Sequence, residues 1–292
     1  MNAAASPARE FTTGFSRDRI ALAAFWVLCA LLLAALAAPW ITPQDPYDLA
    51  QLDILDSKLA PGATGSAGFT YWLGTDDQGR DMVSAILYGL RISLGVGMLS
   101  TVVALAIGLA VGLLSARAGG WGETIIMRVV DLQLSFPSIL IALILLALAG
   151  QGVDKIIIAL IVVQWAYYAR TVRGAALVEL RREYVDAAVC AGFSSARILF
   201  RHVLPNVLPP LIVVATVQVA QAIALEATLS FLGLGMPITS PSLGLLIANG
   251  YVHLLSGKYW ISFFPGIALL VTIVAINLVG DRLQDVLNPR LK

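Results

Sequence analysis

Long apolar runs separated by polar segments are the dominant pattern of this chain. A helix needs about 20 largely apolar residues to cross a bilayer. Six apolar runs lie at roughly 20–38, 92–114, 125–149, 156–168, 208–234 and 261–279. The fourth is short, and we expect the residues after it to extend it as a helix into the cytoplasm. The pattern predicts an all-α integral membrane protein with about six transmembrane helices.

The same pattern divides the chain into five segments. They are a cytoplasmic N-terminal segment (1–19), a first transmembrane helix (20–41), a periplasmic segment (42–90), a transmembrane core (91–281) and a cytoplasmic tail (282–292). The first apolar run could also belong to a cleavable signal peptide. The apolar region of such a peptide has about 7–15 residues, so the greater length of this run favours an uncleaved anchor.

The distribution of Lys and Arg predicts the orientation, because cytoplasmic loops carry an excess of these residues. With six spans and the N-terminus inside, fourteen of the 19 basic residues lie on the cytoplasmic side. The five on the outside are Lys58, Arg80, Arg91, Lys155 and Lys258. The opposite orientation would invert this bias, so both termini are predicted to be cytoplasmic.

Composition supports a membrane environment and argues against several functions. Hydrophobic residues make up 59% and charged residues 13% of the chain, whereas a soluble domain has about 45–50% and about 25%. The net charge of +1 gives no basic field for nucleic acid. Cys29 and Cys190 form neither a disulfide framework nor a CxxC metal pair. GxxxxGK[ST], HExxH and GxSxG motifs are absent, so we expect no ATP site, no catalytic residue and no metal site in this chain.

One predicted cytoplasmic loop, residues 171–206, is long, basic and rich in helix-forming residues. Its landmarks, in order, are Asp186, Ala187, Ala188, Gly192, Leu204 and Pro205. Small alanines allow another backbone to approach closely, and Gly192 allows a sharp turn. Ser194 or Ser195 can cap the helix that follows. The sequence predicts a helix, a break and a second helix, which together suit docking of a cytoplasmic partner.

This loop resembles the EAA loop of ABC importer permeases, which reads EAA, three residues, Gly and a Leu-Pro at a fixed distance. In that family the loop forms a short coupling helix in a groove of the ATPase subunit. The ATPase-coupling residues that the resemblance implies are Asp186, Ala187, Ala188, Gly192, Arg181, Arg182, Arg197, Leu204 and Pro205. The arginines either pair with acids of the ATPase or contact lipid headgroups. Asp186 stands where the pattern has Glu, and His202 where many members have Ile.

Other segments resemble the same family. Their presence argues against the alternative that an Ala/Gly-rich loop matches the motif by chance. Segments similar to the second span entry, the fifth span, and the last span and tail of peptide/nickel-type permeases lie at 73–81, 88–94, 229–235, 264–266, 277–281 and 288–290. The match runs in order from about 18 to 291, and it resembles most the second permease of dipeptide and oligopeptide systems. At 241–244 this chain reads PSLG, where many members have Trp before the Gly.

The resemblance implies the transmembrane domain of a type I, binding-protein-dependent ABC importer in the bacterial inner (plasma) membrane. Its implied partners are a homologous permease, one or two ABC ATPase subunits that bind ATP with Mg, a periplasmic or lipid-anchored solute-binding protein, and membrane lipid. The implied cargo is short peptides, with nickel chelates, glutathione or another peptide-like solute as alternatives. A secondary transporter is less consistent with the sequence, because we see no convincing inverted repeat.

Polar residues inside the predicted spans are candidates for the translocation path, because such residues usually face protein or water. They are Gln218, Gln221, Glu226, Asp131 and Asn277. Glutamines can hydrogen-bond a peptide backbone, and Glu226 can meet a peptide amine. Hydrogen bonds to the partner permease are an equal alternative. Asp131 lies one helical turn after Arg128, and the spacing predicts that these two charges neutralise each other near the inner interface.

Overall fold

The described part of the chain is almost entirely helical. The computed structural model describes residues 15–16, 18–240 and 242–287, so the expectations for the chain ends, Arg17 and Pro241 lie outside the described residues. The helices are α1 (Arg19–Ile41), α2 (Met82–Ala118), α3 (Gly120–Ser135), α4 (Ser138–Ala149), α5 (Val153–Glu179), α6 (Glu183–Cys190), α7 (Ser195–Ile198), α8 (Leu204–Phe231), α9 (Leu243–Tyr251) and α10 (Trp260–Leu287). A π-helical segment, Leu199–Val203, joins α7 to α8.

The segment between α1 and α2 carries the remaining small elements. It contains two short 3₁₀ helices, Leu49–Gln51 and Ile54–Asp56, and an antiparallel pair of strands, β1 (Ala63–Thr64) and β2 (Thr70–Tyr71). A third 3₁₀ helix, Leu254–Ser256, precedes α10.

Five helical rods in the described residues are long and apolar enough to cross a membrane. They are α1, α2, α5, the continuous rod Ser195–Phe231, and α10. Helices α3 and α4 meet the criterion only as a pair, and this pair bends by 87°. The sequence predicted one span across 125–149, but Pro137 interrupts it. Proline lacks a backbone N–H and disfavours helical geometry in the preceding residue, and Phe136 is indeed extended, with φ −92° and ψ 142°.

Helices α2 and α5 form the most extensive helix–helix interface of the described residues. Gly108 and Gly112 of α2 lie four residues apart on the contacting face. A Cβ atom at Gly112 would lie 2.7 Å from the carbonyl oxygen of Ala169, and one at Gly108 would overlap Tyr168. Small residues at this spacing let two membrane helices approach closely. The two helices are therefore held at a separation that larger side chains would not permit.

A tight polar turn fixes the start of α2. The Asp81 side chain accepts a hydrogen bond from the Ser84 N–H at 2.8 Å, which caps the helix at Met82. Arg80 is buried and contacts Asp76 through its Nε at 2.8 Å. The Trp260 Nε1 group of α10 donates to the Thr75 carbonyl at 3.1 Å. The helix thus begins within the stretch assigned to the periplasmic segment, because Asp81 supplies an N-cap ahead of the apolar run.

Candidate functional site: a coupling segment and a series of cavities

The predicted helix, break and helix are present after the end of α5. Helix α5 continues past residue 173 to Glu179, as expected from the sequence. Helix α6 follows, the chain reverses at Gly192 with φ +74°, and α7 begins at Ser195. Ser194 caps α7 by accepting from the Arg197 N–H at 3.4 Å. We call residues 183–203 the coupling segment, after the role that the family resemblance implies for it.

One side of α6 faces the protein and the other faces outward. Ala188 is only 6% exposed and packs with Val185 against the core below α6, so it does not belong to the outward surface predicted for it. Asp186, Ala187 and Gly192 are exposed. The exposed surface also includes Val189 and, on the π-helical segment, Phe200. These two apolar residues were not predicted from the sequence. Their exposed side chains suit contact with a protein partner.

The predicted basic residues surround this surface. Arg181, Arg182 and Arg197 are all exposed, and Arg182 lies 3.7 Å from Glu179. The Arg197 guanidinium lies over the Phe193 ring, 4.2 Å from its centroid, and the His202 ring stacks on Phe193 with an interplanar angle of 15°. His202 therefore packs on Phe193 by ring stacking. An exposed arginine held over an aromatic ring remains available to an acidic partner.

Tyr184 connects the end of α5 with the start of α8, the two helices that flank the coupling segment. Its hydroxyl donates to Glu179 Oε2 at 2.7 Å and accepts from the Asn206 amide at 3.0 Å. Burial and the bond to Glu179 raise the pKa of the Tyr184 hydroxyl, so this donor stays protonated at neutral pH. Leu204 packs into the core beside the segment, whereas Pro205 is exposed in the first turn of α8. The end of α5 and the start of α8 therefore meet beside α6.

Two ion pairs connect α3 to α5. Arg173 donates from Nε to Glu123 Oε1 at 2.8 Å, and Arg170 forms an ion pair with Asp131. The predicted pairing of Asp131 with Arg128 is wrong, because α3 packs along α5 and Arg170 reaches across the interface. These residues, with Arg128, line a polar cleft of about 690 Å³ between α3 and α5.

Two further cavities lie between α5 and α8. The outer cavity, of about 220 Å³, lies towards the end of α8 and is lined by Ser138, Val163, Gln164, Tyr167, Gln218, Gln221, Ala224, Leu225 and Thr228. The inner cavity, of about 550 Å³, lies towards the coupling segment and is lined by Leu134, Tyr167, Arg170, Thr171, Val213, Val214, Val217, Gln218 and Gln284. The two cavities share Tyr167 and Gln218.

The three concave regions form a series along the second half of α5. Arg170 lines both the inner cavity and the polar cleft. Gln218 and Gln221 both line the outer cavity, and their role on a translocation path stays a prediction. Gln164 and Tyr167 were missed, although Gln164 is a polar residue in a predicted span and carries the same signal as the glutamines of α8.

The last two path candidates lie elsewhere. Glu226 is completely buried and accepts hydrogen bonds from the hydroxyls of Ser93 and Ser230, both at 2.8 Å. It lines none of these three cavities and links α2 with α8, so its place on the path stays a prediction. Asn277 also lines none of them. On the same face of α10, Gln284 lies two turns further on and does line the inner cavity.

Comparison with known proteins identifies the family of this chain. A family described as "Binding-protein-dependent transport system inner membrane component" matches residues 104–292, and "N-terminal TM domain of oligopeptide transport permease C" matches residues 6–61. The chain belongs to the binding-protein-dependent permease family. The resemblance drawn from the coupling segment and the other motifs is therefore confirmed.

Several curated relatives cover nearly the whole chain. The di/tripeptide transport system permease protein DppC of Pseudomonas aeruginosa is 37% identical over 98% of this chain and 93% of its own length. The dipeptide transport system permease protein DppC of Escherichia coli K12 is 39% identical over 98% and 94%. The glutathione transport system permease protein GsiD of Pectobacterium atrosepticum is 35% identical over 98% and 92%.

A solved structure confirms the fold predicted for the chain. The MetNI methionine ABC transporter, in an inward-facing conformation, contains a chain with a TM-score of 0.57 and 22% identity. The match covers 70% of this permease and 97% of that chain. The helical core is thus the transmembrane fold of an ABC importer.

Proposed function

We propose that this permease is the second of two related membrane subunits of an ATP-driven importer of short peptides. The observation that carries the proposal is the series of cavities that runs from the glutamines between α5 and α8 to the ion pairs beside the coupling segment. This series supports a hydrogen-bonding passage between α5 and α8 and a docking surface on the segment that joins these two helices. An importer subunit requires a passage for its cargo and a contact through which the ATPase can move the helices that line the passage.

The lining of the outer cavity favours peptides as the cargo. Its polar side chains are amides and hydroxyls, and no charged residue lines it in the described part of the chain. Neutral donors and acceptors can exchange hydrogen bonds with a peptide main chain without holding it as an ion pair would. Relatives named for dipeptide and di/tripeptide transport support this cargo. Glutathione is the second candidate, because one relative is named for its transport and glutathione is itself a peptide.

The complete transporter requires other subunits in this proposal. A homologous permease supplies the other wall of the passage, and a solute-binding protein delivers the peptide on the periplasmic side of the inner membrane. One or two ATPase subunits dock on the exposed surface of the coupling segment and bind ATP with Mg. This permease contributes no catalytic group and instead converts movement of the ATPases into movement of its helices.

The connections within the chain indicate how movement would be transmitted. Closure of the ATPases on ATP displaces α6, which follows directly from the end of α5. The Tyr184 contacts carry the displacement to the start of α8, and the two ion pairs carry it to α3. Since α5 and α8 form the walls of both cavities, their separation changes when the coupling segment moves.

Transport by the reconstituted complex tests this function. The permease is co-expressed with its partners, recovered with a tag and placed in proteoliposomes with the binding protein. We expect a second permease and ATPase subunits to co-purify, and labelled dipeptide to accumulate only with ATP and binding protein. Competition by glutathione or a nickel chelate would reassign the cargo. Solute movement by this chain alone without ATP would contradict the proposal and favour a secondary transporter.

A further inference from the structure

The junction between the outer and inner cavities is formed by one residue from each wall. Gln218 is the fifteenth of the 28 residues of α8, and Tyr167 is the fifteenth of the 27 residues of α5. Both residues line both cavities. Helices α5 and α8 are consecutive spans that pack against each other, so the junction lies within their interface. A solute that moves directly from one cavity to the other passes beside these two side chains.

Gln218 has an unused hydrogen-bond donor at this junction. Its side chain is 8% exposed, and its Nε2 group has no partner among the described residues. Buried polar groups in native proteins are nearly always paired, so an unpaired amide donor that lines two cavities indicates a group that arrives from outside the chain. The feature is specific to Gln218, since Gln221, one turn further along α8, is exposed.

The opposite wall carries a second amide that is held in place. Gln164 is 3% exposed, and its Oε1 accepts from the Thr101 hydroxyl of α2 at 3.3 Å. Gln164 lies one turn from Tyr167 on α5 and lines the outer cavity. Primary amides on both walls match the alternating C=O and N–H groups of an extended main chain.

From this geometry we infer that Gln218 is a substrate-binding residue that donates to a main-chain carbonyl of the peptide at the junction of the two cavities. The inference rests on the proposed function and adds the chemical basis of its selectivity. Recognition through the main chain accepts peptides with different side chains, because every peptide presents the same carbonyl. Charged groups at the junction would instead favour particular sequences.

Substitution of Gln218 in the complete importer tests the inference. Gln218→Met keeps the length of the side chain and removes its donor, so ATP-dependent dipeptide uptake should fall about tenfold while the subunits still co-purify. Thr216→Val is the matched control on α8, because the Thr216 hydroxyl donates to the Val213 carbonyl and lines neither cavity. Uptake by Gln218→Met within about twofold of the unaltered complex would overturn the inference.

A second measurement uses the unaltered protein and does not depend on how the variant folds. A dipeptide with a diazirine side chain is photolysed in the working complex, and the adducts are mapped by mass spectrometry. We expect adducts on residues 163–171 and 213–221, which flank the junction. Adducts confined to other segments would overturn the role of Gln218 while leaving peptide import intact. Absence of ATP-dependent dipeptide uptake by the unaltered complex would instead remove the proposed function and the inference together.

Discussion

Arg173 of α5 donates hydrogen bonds from Nε and Nη2 to the same oxygen, Oε1, of Glu123 on α3. The Nε contact measures 2.8 Å, and both side chains are partly exposed. An ion pair of this exposure contributes only about 0–1 kcal/mol to stability. Its position is more informative than its strength, because it joins the helix that enters the coupling segment to a helix that borders the polar cleft.

Breaking this pair should impair coupling more than folding. We expect Arg173→Gln to lower the ratio of dipeptide taken up to ATP hydrolysed several-fold. Without the ion pair, movement of α5 is no longer transmitted to α3. Uptake and ATPase rates are measured on the same proteoliposomes. The double variant Glu123→Arg with Arg173→Glu restores opposite charges and should recover part of the uptake. Asp285→Asn is the control, since the Asp285–Arg282 pair lies within α10 and connects no two helices. Equal losses of uptake and ATPase activity in Arg173→Gln would contradict this role.

Substitution of Gly192 tests whether the turn at this residue belongs to the surface on which the ATPase docks. Its φ of +74° is unfavourable for a residue with a Cβ, and Gly192→Ala should cost about 1–2 kcal/mol. No atom lies within 4 Å of the added Cβ, so the substitution creates no clash inside the chain. We expect Gly192→Ala and Gly192→Asp to insert into the membrane but to recover fewer ATPase subunits on purification.

Gly174 provides the matched control for this prediction. It is exposed in the last turns of α5, has open space around it and does not adopt positive φ. Gly174→Ala should retain the ATPase subunits and should stabilise the helix by about 0.5–1 kcal/mol. Full recovery of ATPase subunits by Gly192→Asp would show that the Gly192 surface is not part of the docking site.

The spans and the coupling segment could be predicted from the sequence because both leave local signals. Apolar runs of membrane length identify helices directly, and the Gly192 break needs only one residue type at one position. The bend at Pro137 was also visible in the sequence. It was missed because the apolar run continues across the proline, and hydropathy averages over that interruption.

Pairings across helices could not be predicted in the same way. Arg128 lies closer to Asp131 in sequence than Arg170 does, yet the packing of α3 along α5 selects Arg170. Glu226 gave the same signal as Gln218, a polar residue in a predicted span. The structure shows that Glu226 accepts hydrogen bonds from Ser93 and Ser230, whereas the Nε2 group of Gln218 has no partner among the described residues.

The close contact of α2 with α5 predicts a strong effect of side-chain size at Gly112. A Cβ atom there would lie 2.7 Å from both the Ala169 carbonyl oxygen and Val172 Cβ, so Gly112→Val requires the helices to separate. We expect a destabilisation of about 1–3 kcal/mol, the usual cost of overpacking. Thermal unfolding in detergent measures it. Gly95→Ala is the control on the same helix, because open space surrounds Gly95. An unchanged unfolding temperature for Gly112→Val would contradict the packing.

Substitution of Glu226 tests whether its buried carboxyl group stabilises the fold or contacts the cargo. Glu226→Leu removes the acceptor of two serine hydroxyls and leaves them unpaired in the interior, which should cost about 1–3 kcal/mol. Glu226→Gln keeps an acceptor oxygen of similar position and should lose much less stability. Both variants should keep the cargo preference of the unaltered complex, because Glu226 lines neither cavity between α5 and α8. Unfolding temperature and competition between dipeptides with free and blocked amino groups are measured side by side. If Glu226→Gln loses the preference for a free amine without losing stability, the carboxylate meets the cargo, and Glu226 belongs to the path after all.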